Sequence, residues 1–260
     1  MTAPTRTLMP ARQYDAVAAN PQTGGLYTAA TIEPTEDERL DGGVEVTPVN
    51  EASSGHGYWD TGCGPQDDPD AEKSGERAAR VYAPSLIVWA ADDCSLIANS
   101  SEEARARAAQ LLRLYEPLDV EAATATRLLA DAGAAATAPT ATFTPAFVAA
   151  VGAVEAALGR TGVPGVIHAS RSLAATAAHY GLIVSGPGGR MNTPLGNAWA
   201  FGGGYDALGT TLVGTGPVTV RRSSITARDA VEHRQNQRTA VAERTINVSW
   251  ELTTVAQQIA

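Results

Sequence analysis

Asn236-Gln237-Arg238-Thr239-Ala240-Val241-Ala242-Glu243-Arg244-Thr245-Ile246-Asn247-Val248-Ser249-Trp250 carries the clearest structural signal in the chain. From Ala242 to Leu252 it reads as a strong strand. Ile246, Val248 and Trp250 alternate with Thr245, Asn247 and Ser249, so one face is apolar and the other polar. Glu243 and Arg244 sit at the entrance of that strand, where a charge pair can set its register or meet a neighbouring subunit. The segment before it, Arg228 to Arg238, is polar and arginine-rich. Asp229, Glu232 and Glu243 flank it, so a salt-bridged helix or a subunit contact is expected there rather than a nucleic-acid site.

The surrounding chain has 260 residues, enough for one large domain or two small ones with a real core. Hydrophobic residues make up 44% but aromatics only 5%, so the core must be built from small and aliphatic side chains. The net charge of −9 argues against a reader of duplex DNA, which needs a cationic face. Lys73 is the only lysine, and every other basic side chain apart from histidine is arginine. Cys63 and Cys94 make no disulfide framework and have no metal-ligand spacing. No apolar run opens the chain as a signal peptide would, and none is long enough to span a bilayer. The expectation is a soluble protein made in a cytoplasm.

Periodicity divides the chain. Residues 1–75 are rich in Thr, Pro, Gly, Asp and Glu, with an acidic run from Glu33 to Asp41. They read as either disordered or an extended arm folded against a neighbour. Within them, Val44 and Val46 suggest one strand of a hairpin, and Tyr58-Trp59 suggests burial against a partner. Order is expected to begin near Arg80, with a strand from Val81 to Ala91 that Pro84 makes an edge or bulged strand. Ser100 or Ser101 caps a helix followed by Glu102 and Glu103, with Ala104, Ala108, Leu111, Leu112 and Tyr115 at helical spacing. Pro117 is expected to kink or end it, a second piece running from Val120 to about Ala130. Ala132 to Thr142 reads as a linker. Thr144-Pro145 opens a helix with Phe147, Val151, Val154 and Leu158 on one face, closed by Gly162. A short strand, Val163 to Ala169, precedes a helix from Arg171 to about Tyr180, capped by Ser170 and ended by Gly181. Strands are expected over Asn192–Phe201, Thr210–Val213 and Pro217–Arg222. Gly202, Gly203 and Gly204 form a turn. The order is α+β rather than alternating βαβ units.

Catalytic chemistry is sparse. His168 and Ser170 could serve a hydrolase with one of the acids, but the G-x-S-x-G elbow is missing. His168 closes an apolar run and reads as a satisfied structural histidine. His56, His179 and His233 share no metal-ligand spacing, so no metal and no cofactor are expected. Neither Ser185–Arg190 nor Gly202–Gly204 is a phosphate-binding loop, since no Gly-Lys-Ser/Thr follows. The acidic run lacks a calcium-loop pattern and reads as a solvated face.

The segment from Asn236 to Trp250 resembles the closing segment of Hong Kong 97-type capsid proteins. There, an Asn-containing polar stretch leads through Ala-Glu-Arg into an alternating strand. Thr193-Pro194-Leu195-Gly196-Asn197 leading to Gly203-Gly204-Tyr205 resembles a pattern of actinobacterial-phage capsid proteins. The resemblance implies a Hong Kong 97-like α+β fold. Its parts would be an N-terminal arm (1–32), an extended loop (33–79), a peripheral domain with a long spine helix (80–140), an axial domain (141–216), and the peripheral return strand with the C-terminus (217–260). It implies a non-enzymatic major capsid protein. Such a subunit self-assembles into pentamers and hexamers of an icosahedral bacteriophage head that encloses double-stranded DNA, contacted only non-specifically. The expected location is the virion, assembled in the host cytoplasm and without a membrane. The chain is small for that family, so a scaffolding protein would be separate, as would portal and decoration proteins. Minor capsid, neck or tail-tube proteins and encapsulin-type cellular shells are the alternatives, with a His168 hydrolase further off. Tyr58, Trp59, Arg238, Glu243 and Arg244 are the candidate interface residues. In a few such capsids a loop lysine joins a neighbour's asparagine; Lys73 lies in the corresponding segment, but it reads first as a solvated lysine.

Overall fold

The computed structural model describes residues 14, 16–51, 55–59, 61, 72–97, 100–137, 145–252 and 254–259. Residues 1–13, Cys63, Thr144 and residues 138–142 of the expected 132–142 linker lie outside them. In chain order the elements are α1 (Leu26–Ala29), β1 (Thr31–Pro34), β2 (Val44–Val46), β3 (Val81–Ala83), β4 (Ser85–Ser95) and α2 (Ser101–Ala132). Then come β5 (Ala136–Thr137), α3 (Ala146–Gly159), β6 (Val166–Ser170), α4 (Ala174–His179), β7 (Val184–Ser185), β8 (Met191–Asn192) and β9 (Ala198–Gly202). The chain closes with β10 (Thr211–Thr215), β11 (Val218–Arg222), β12 (Thr226–Glu232), β13 (Gln237–Trp250) and β14 (Thr254–Gln258).

β13 is the centre of the first sheet. At 14 residues it extends about 46 Å. β4 runs antiparallel along one of its edges from Gln237↔Ser95 to Asn247↔Ser85. On the other edge β12 covers residues 237–243 and β11 covers 246–250. Between them Ser223, Ser224 and Ile225 stand against only Arg244 and Thr245, a bulge by one residue. The Ser223 hydroxyl oxygen accepts the Thr245 N–H there, at 3.0 Å, replacing a ladder bond. β1 adds in parallel to β11.

α2 lies across the inner face of this sheet. Its 32 residues span about 48 Å, a length matched to β13. Ser100 is its N-cap, accepting the Glu103 N–H at 3.0 Å. Ala104, Ala108, Leu112, Glu116 and Val120 recur every fourth residue and are buried, so small side chains let helix and sheet approach closely. The expected break at Pro117 does not occur: the helix runs through it. Proline deprives the Arg113 carbonyl of its donor, but buried contacts at Glu116, Val120 and Glu121 hold the turn on both sides.

The second sheet has the order β5-β14-β10-β6-β9-β8-β7. Ile167, Ala169, Trp199, Phe201 and Leu212 face α3, where Phe147, Val151, Val154 and Leu158 close a core of their own. Val166, Ala198, Ala200 and Val213 face the other way and join the core built on α2.

Several expectations are corrected. Order begins well before Arg80: Leu26 is fully buried and β1 is a sheet strand. The polar Arg228–Arg238 segment is not a helix but a β-hairpin, β12 into β13, turning at Asn236 with φ 55°. The strand expected from Ala242 therefore starts at Gln237, so Glu243 and Arg244 lie in its middle rather than at its entrance. Asn192–Phe201 is two strands, because Gly196 (φ 95°) reverses the chain between β8 and β9. Pro145 itself takes the N-cap position of α3, where the sequence put it at the first helical position with the cap one residue earlier. Ser170 does not cap a helix N–H; its hydroxyl meets Ser172 Oγ at 2.9 Å, and a 3-10 turn precedes the short α4. Instead of one strand from Val81 to Ala91, Pro84 separates β3 from β4, and β4 runs on to Ser95 along an edge of the first sheet. Val44 and Val46 do form one arm of a hairpin, pairing with β3.

Candidate assembly surface

The β2–β3 pair is the root of a long loop, residues 47–80. Its two arms approach at Gly55 and Gly75, where a side-chain carbon on Gly75 would sit 2.7 Å from the Gly55 Cα. Tyr58 is 95% exposed, and Trp59 carries the Lys73 ammonium 4.6 Å from its ring centroid. Both loop aromatics that the sequence singles out are thus displayed rather than buried.

The outer face of the first sheet is also displayed. Ile87 and Trp89 are 61% and 64% exposed on β4, and on the separate β2–β3 pair Val81 and Tyr82 are exposed as well. Across the ladder Ile87 faces Thr245, and Trp89 faces Glu243. Glu243 pairs with Arg228 on β12. A cleft of about 430 Å³ adjoins Ile87, lined by Asp37, Glu38, Asp41, Ser224 and Glu243 among others. An apolar strip edged by acids is chemistry for contact with another protein surface.

Strand alternation puts Arg244 and Arg238 on the opposite, inner face. Arg244 Nε lies 3.4 Å from Glu116 Oε2. Arg222 reaches the same carboxylate at 3.3 Å, and the Tyr27 hydroxyl donates to it at 2.8 Å. Burial first, and then the Glu116 charge, push the Tyr27 phenol well above its ordinary range. Arg238 Nε lies 3.4 Å from Asp229, which also meets Arg105 of α2 at 3.4 Å. These ion pairs bind sheet to helix.

The buried polar centre at Glu121 was not anticipated. Glu121, 2% exposed, accepts the Leu26 N–H at 2.9 Å and the Gly204 N–H at 3.0 Å. It joins α1, α2 and the turn after β9. A side-chain carbon on Gly204 would sit 2.1 Å from the Leu118 carbonyl, so the expected glycine turn is also a close contact. Burial raises the Glu121 carboxyl above its usual range against the pull of these N–H groups. No sequence signal distinguishes Glu121 from the solvated acids near it.

His168 is fully buried and satisfied at both ring nitrogens, as read from the sequence. The Thr215 hydroxyl donates to the Gly216 carbonyl at 3.0 Å and therefore accepts from His168 Nε2–H, also at 3.0 Å. Nδ1 then accepts the Tyr205 hydroxyl at 2.9 Å. Burial pushes the imidazole down to about 3, so it is neutral at physiological pH. Ser170 bonds Ser172 instead of this histidine. Among the described residues no His, Cys, Asp and Glu cluster could hold a metal ion, and no helix is long and apolar enough to cross a membrane.

No family model matches the sequence, and no curated protein does. Solved structures do match over almost the whole chain. A chain of Mycobacterium phage Bobi is 11% identical, with 96% of this chain and 95% of that one covered and a TM-score of 0.59. A capsid chain of the native GTA particle is 12% identical, with coverage of 97% and 95% and a TM-score of 0.59. The virus-like particle from Pyrococcus furiosus is 11% identical, with coverage of 90% and 92% and a TM-score of 0.53. At such identities the likeness is one of fold, and the fold is the α+β Hong Kong 97-type capsid fold.

Proposed function

We propose that this chain is a non-enzymatic structural subunit, the major capsid protein of a bacteriophage head. The fold shared with a capsid chain over 97% of this one carries the reading. The displayed loop aromatics and the Ile87–Trp89 strip support it, because a shell subunit works through surfaces rather than a pocket. His168, neutral and bonded at both nitrogens, offers no nucleophile–base pair. On this reading 1–32 is the arm and 33–79 the extended loop. Residues 80–140 and 217–260 make the peripheral domain, and 141–216 the axial domain. Tyr58, Trp59 and Glu243 are then contact residues, while Arg238 and Arg244 act by fixing the sheet on α2. Pentamers and hexamers would assemble in the host cytoplasm around DNA touched only non-specifically, with scaffolding, portal and decoration proteins as separate chains. The likeness to the Pyrococcus furiosus virus-like particle fits an encapsulin-type shell as well.

Light scattering and negative-stain imaging of the purified full chain test this. The expected result is closed particles of megadalton mass. Rings would favour a neck or tail-tube subunit, and a protein that stays monomeric under all assembly conditions would overturn the proposal.

A further inference from the structure

The root of the 47–80 loop meets the body at Pro48, which is buried, and through a carboxylate beside it. Glu251 follows directly on β13. Its Oε2 accepts the Val49 N–H at 2.8 Å and the Asn50 N–H at 3.4 Å. Its Oε1 accepts the Asn50 side-chain amide. One carboxylate therefore receives three donors from two consecutive residues that lie some 200 positions earlier. Val49 itself is 85% exposed, so its hydrogen bond to Glu251, beside the buried Pro48, is what places its backbone. Backbone and amide donors of this kind select the ionised carboxylate, since a protonated oxygen would present its own hydrogen to an N–H.

We propose that Glu251 is a proton-sensitive latch on the loop root, closed when ionised and open when protonated. The donors on the loop side are neutral. Glu51 is the next acid along the loop. On the body side, Arg127 of α2 turns its guanidinium to the Trp250 ring, 3.7 Å from the centroid, and to Asp131 at 3.7 Å. Gly216 lies under the Glu251 carbonyl, where a side-chain carbon would come within 2.3 Å, so the strand end cannot shift toward it. Desolvation opposes ionisation, but the Val49 and Asn50 hydrogen bonds outweigh it and hold the carboxyl below its ordinary 4.5. A depressed value means that the latch contributes fully above that ordinary value and is lost as pH falls through the folded-state value. The latch belongs to the single chain and stands whether or not the chain forms a shell.

Hydrogen exchange of the full chain tests it, read as protection of the Val49 and Asn50 amides against the unstructured rate at each pH. Both amides are expected to be protected at pH 7 and to lose protection as pH falls below the carboxyl's ordinary 4.5, while the β3 amides of Val81–Ala83 keep theirs. Glu251→Gln presents an amide where an acceptor stood, and is expected to lower protection at pH 7 by about tenfold or more. Glu251→Asp, one methylene shorter, is the second variant should Glu251→Gln fail to fold, with the same loss expected. Unchanged protection in a folded variant at pH 7 would overturn the latch. So would wild-type protection that stays flat from pH 7 to 3 while β3 remains folded. If acid unfolds β3 as well, the pH 7 comparison of variant and wild type decides alone.

Discussion

Glu121 shows what burial does to one side chain. Its carboxylate is the junction of three chain segments, yet desolvation raises its proton affinity above that of the unfolded chain. A carboxyl raised in this way contributes most below its ordinary value, and the contribution is lost as pH rises through the folded-state value. The folded protein should therefore lose stability through this group as pH rises above the carboxyl's ordinary 4.5. Glu121→Gln should flatten that part of the profile, as read by thermal melts of wild type and variant from pH 5 to 8. A variant whose profile keeps the wild-type slope would show that the N–H donors outweigh burial. His168 behaves differently. With both nitrogens bonded and the imidazole held neutral, it links the second sheet to the Tyr205 turn without titrating near neutrality.

α2 is the element on which both sheets depend. Its first half packs small residues against β4 and β13, and its second half carries Glu121, Arg127 and Leu128. Arg127 donates to the Val248 carbonyl at 2.7 Å and lies on Trp250, binding the helix to the far end of β13. Pro117 sits between these halves and costs the helix a hydrogen bond. Pro117→Ala restores the donor to the Arg113 carbonyl, and the propensity difference is about 3 kcal/mol. The gain expected is about 1–3 kcal/mol, because Pro117 also lines a cleft that alanine would enlarge. Chemical denaturation measures it, and a loss of stability would mean that the tertiary contacts require the proline-bearing turn.

For the molecule as a whole, the distribution of exposed apolar groups separates folding from assembly. Ile87 and Trp89 contribute little to the monomer's core, being more than half exposed. Ile87→Glu combined with Trp89→Glu should change monomer stability by about 1 kcal/mol or less. On the shell reading it should sharply reduce particle yield, because two like charges join Glu243 on the same face. A melt of the dissociated chain and light scattering of the assembly mixture read the two effects separately. Particles formed at wild-type yield would remove this strip from the contact surface.

The alternation of Ile246, Val248 and Trp250, the Ser100 cap and the apolar face of α3 are local patterns, and the sequence alone determined those elements. It also determined that His168 lies within an apolar strand. Tertiary structure alone decided the rest, since each case depends on groups remote in sequence. Pro117 stays helical because contacts on either side outweigh a lost bond. Arg228–Arg238 is a hairpin because β4 and α2 supply partners that a polar segment does not reveal. Glu243 and Arg244 are neighbours in the chain but separate to opposite faces, because the period of a strand is two. Leu26 lies in the core, although its surroundings read as an arm, because Glu121 holds its N–H from 95 residues away. Local periodicity is written in adjacent residues; the pairing of a buried charge is written only in the folded chain.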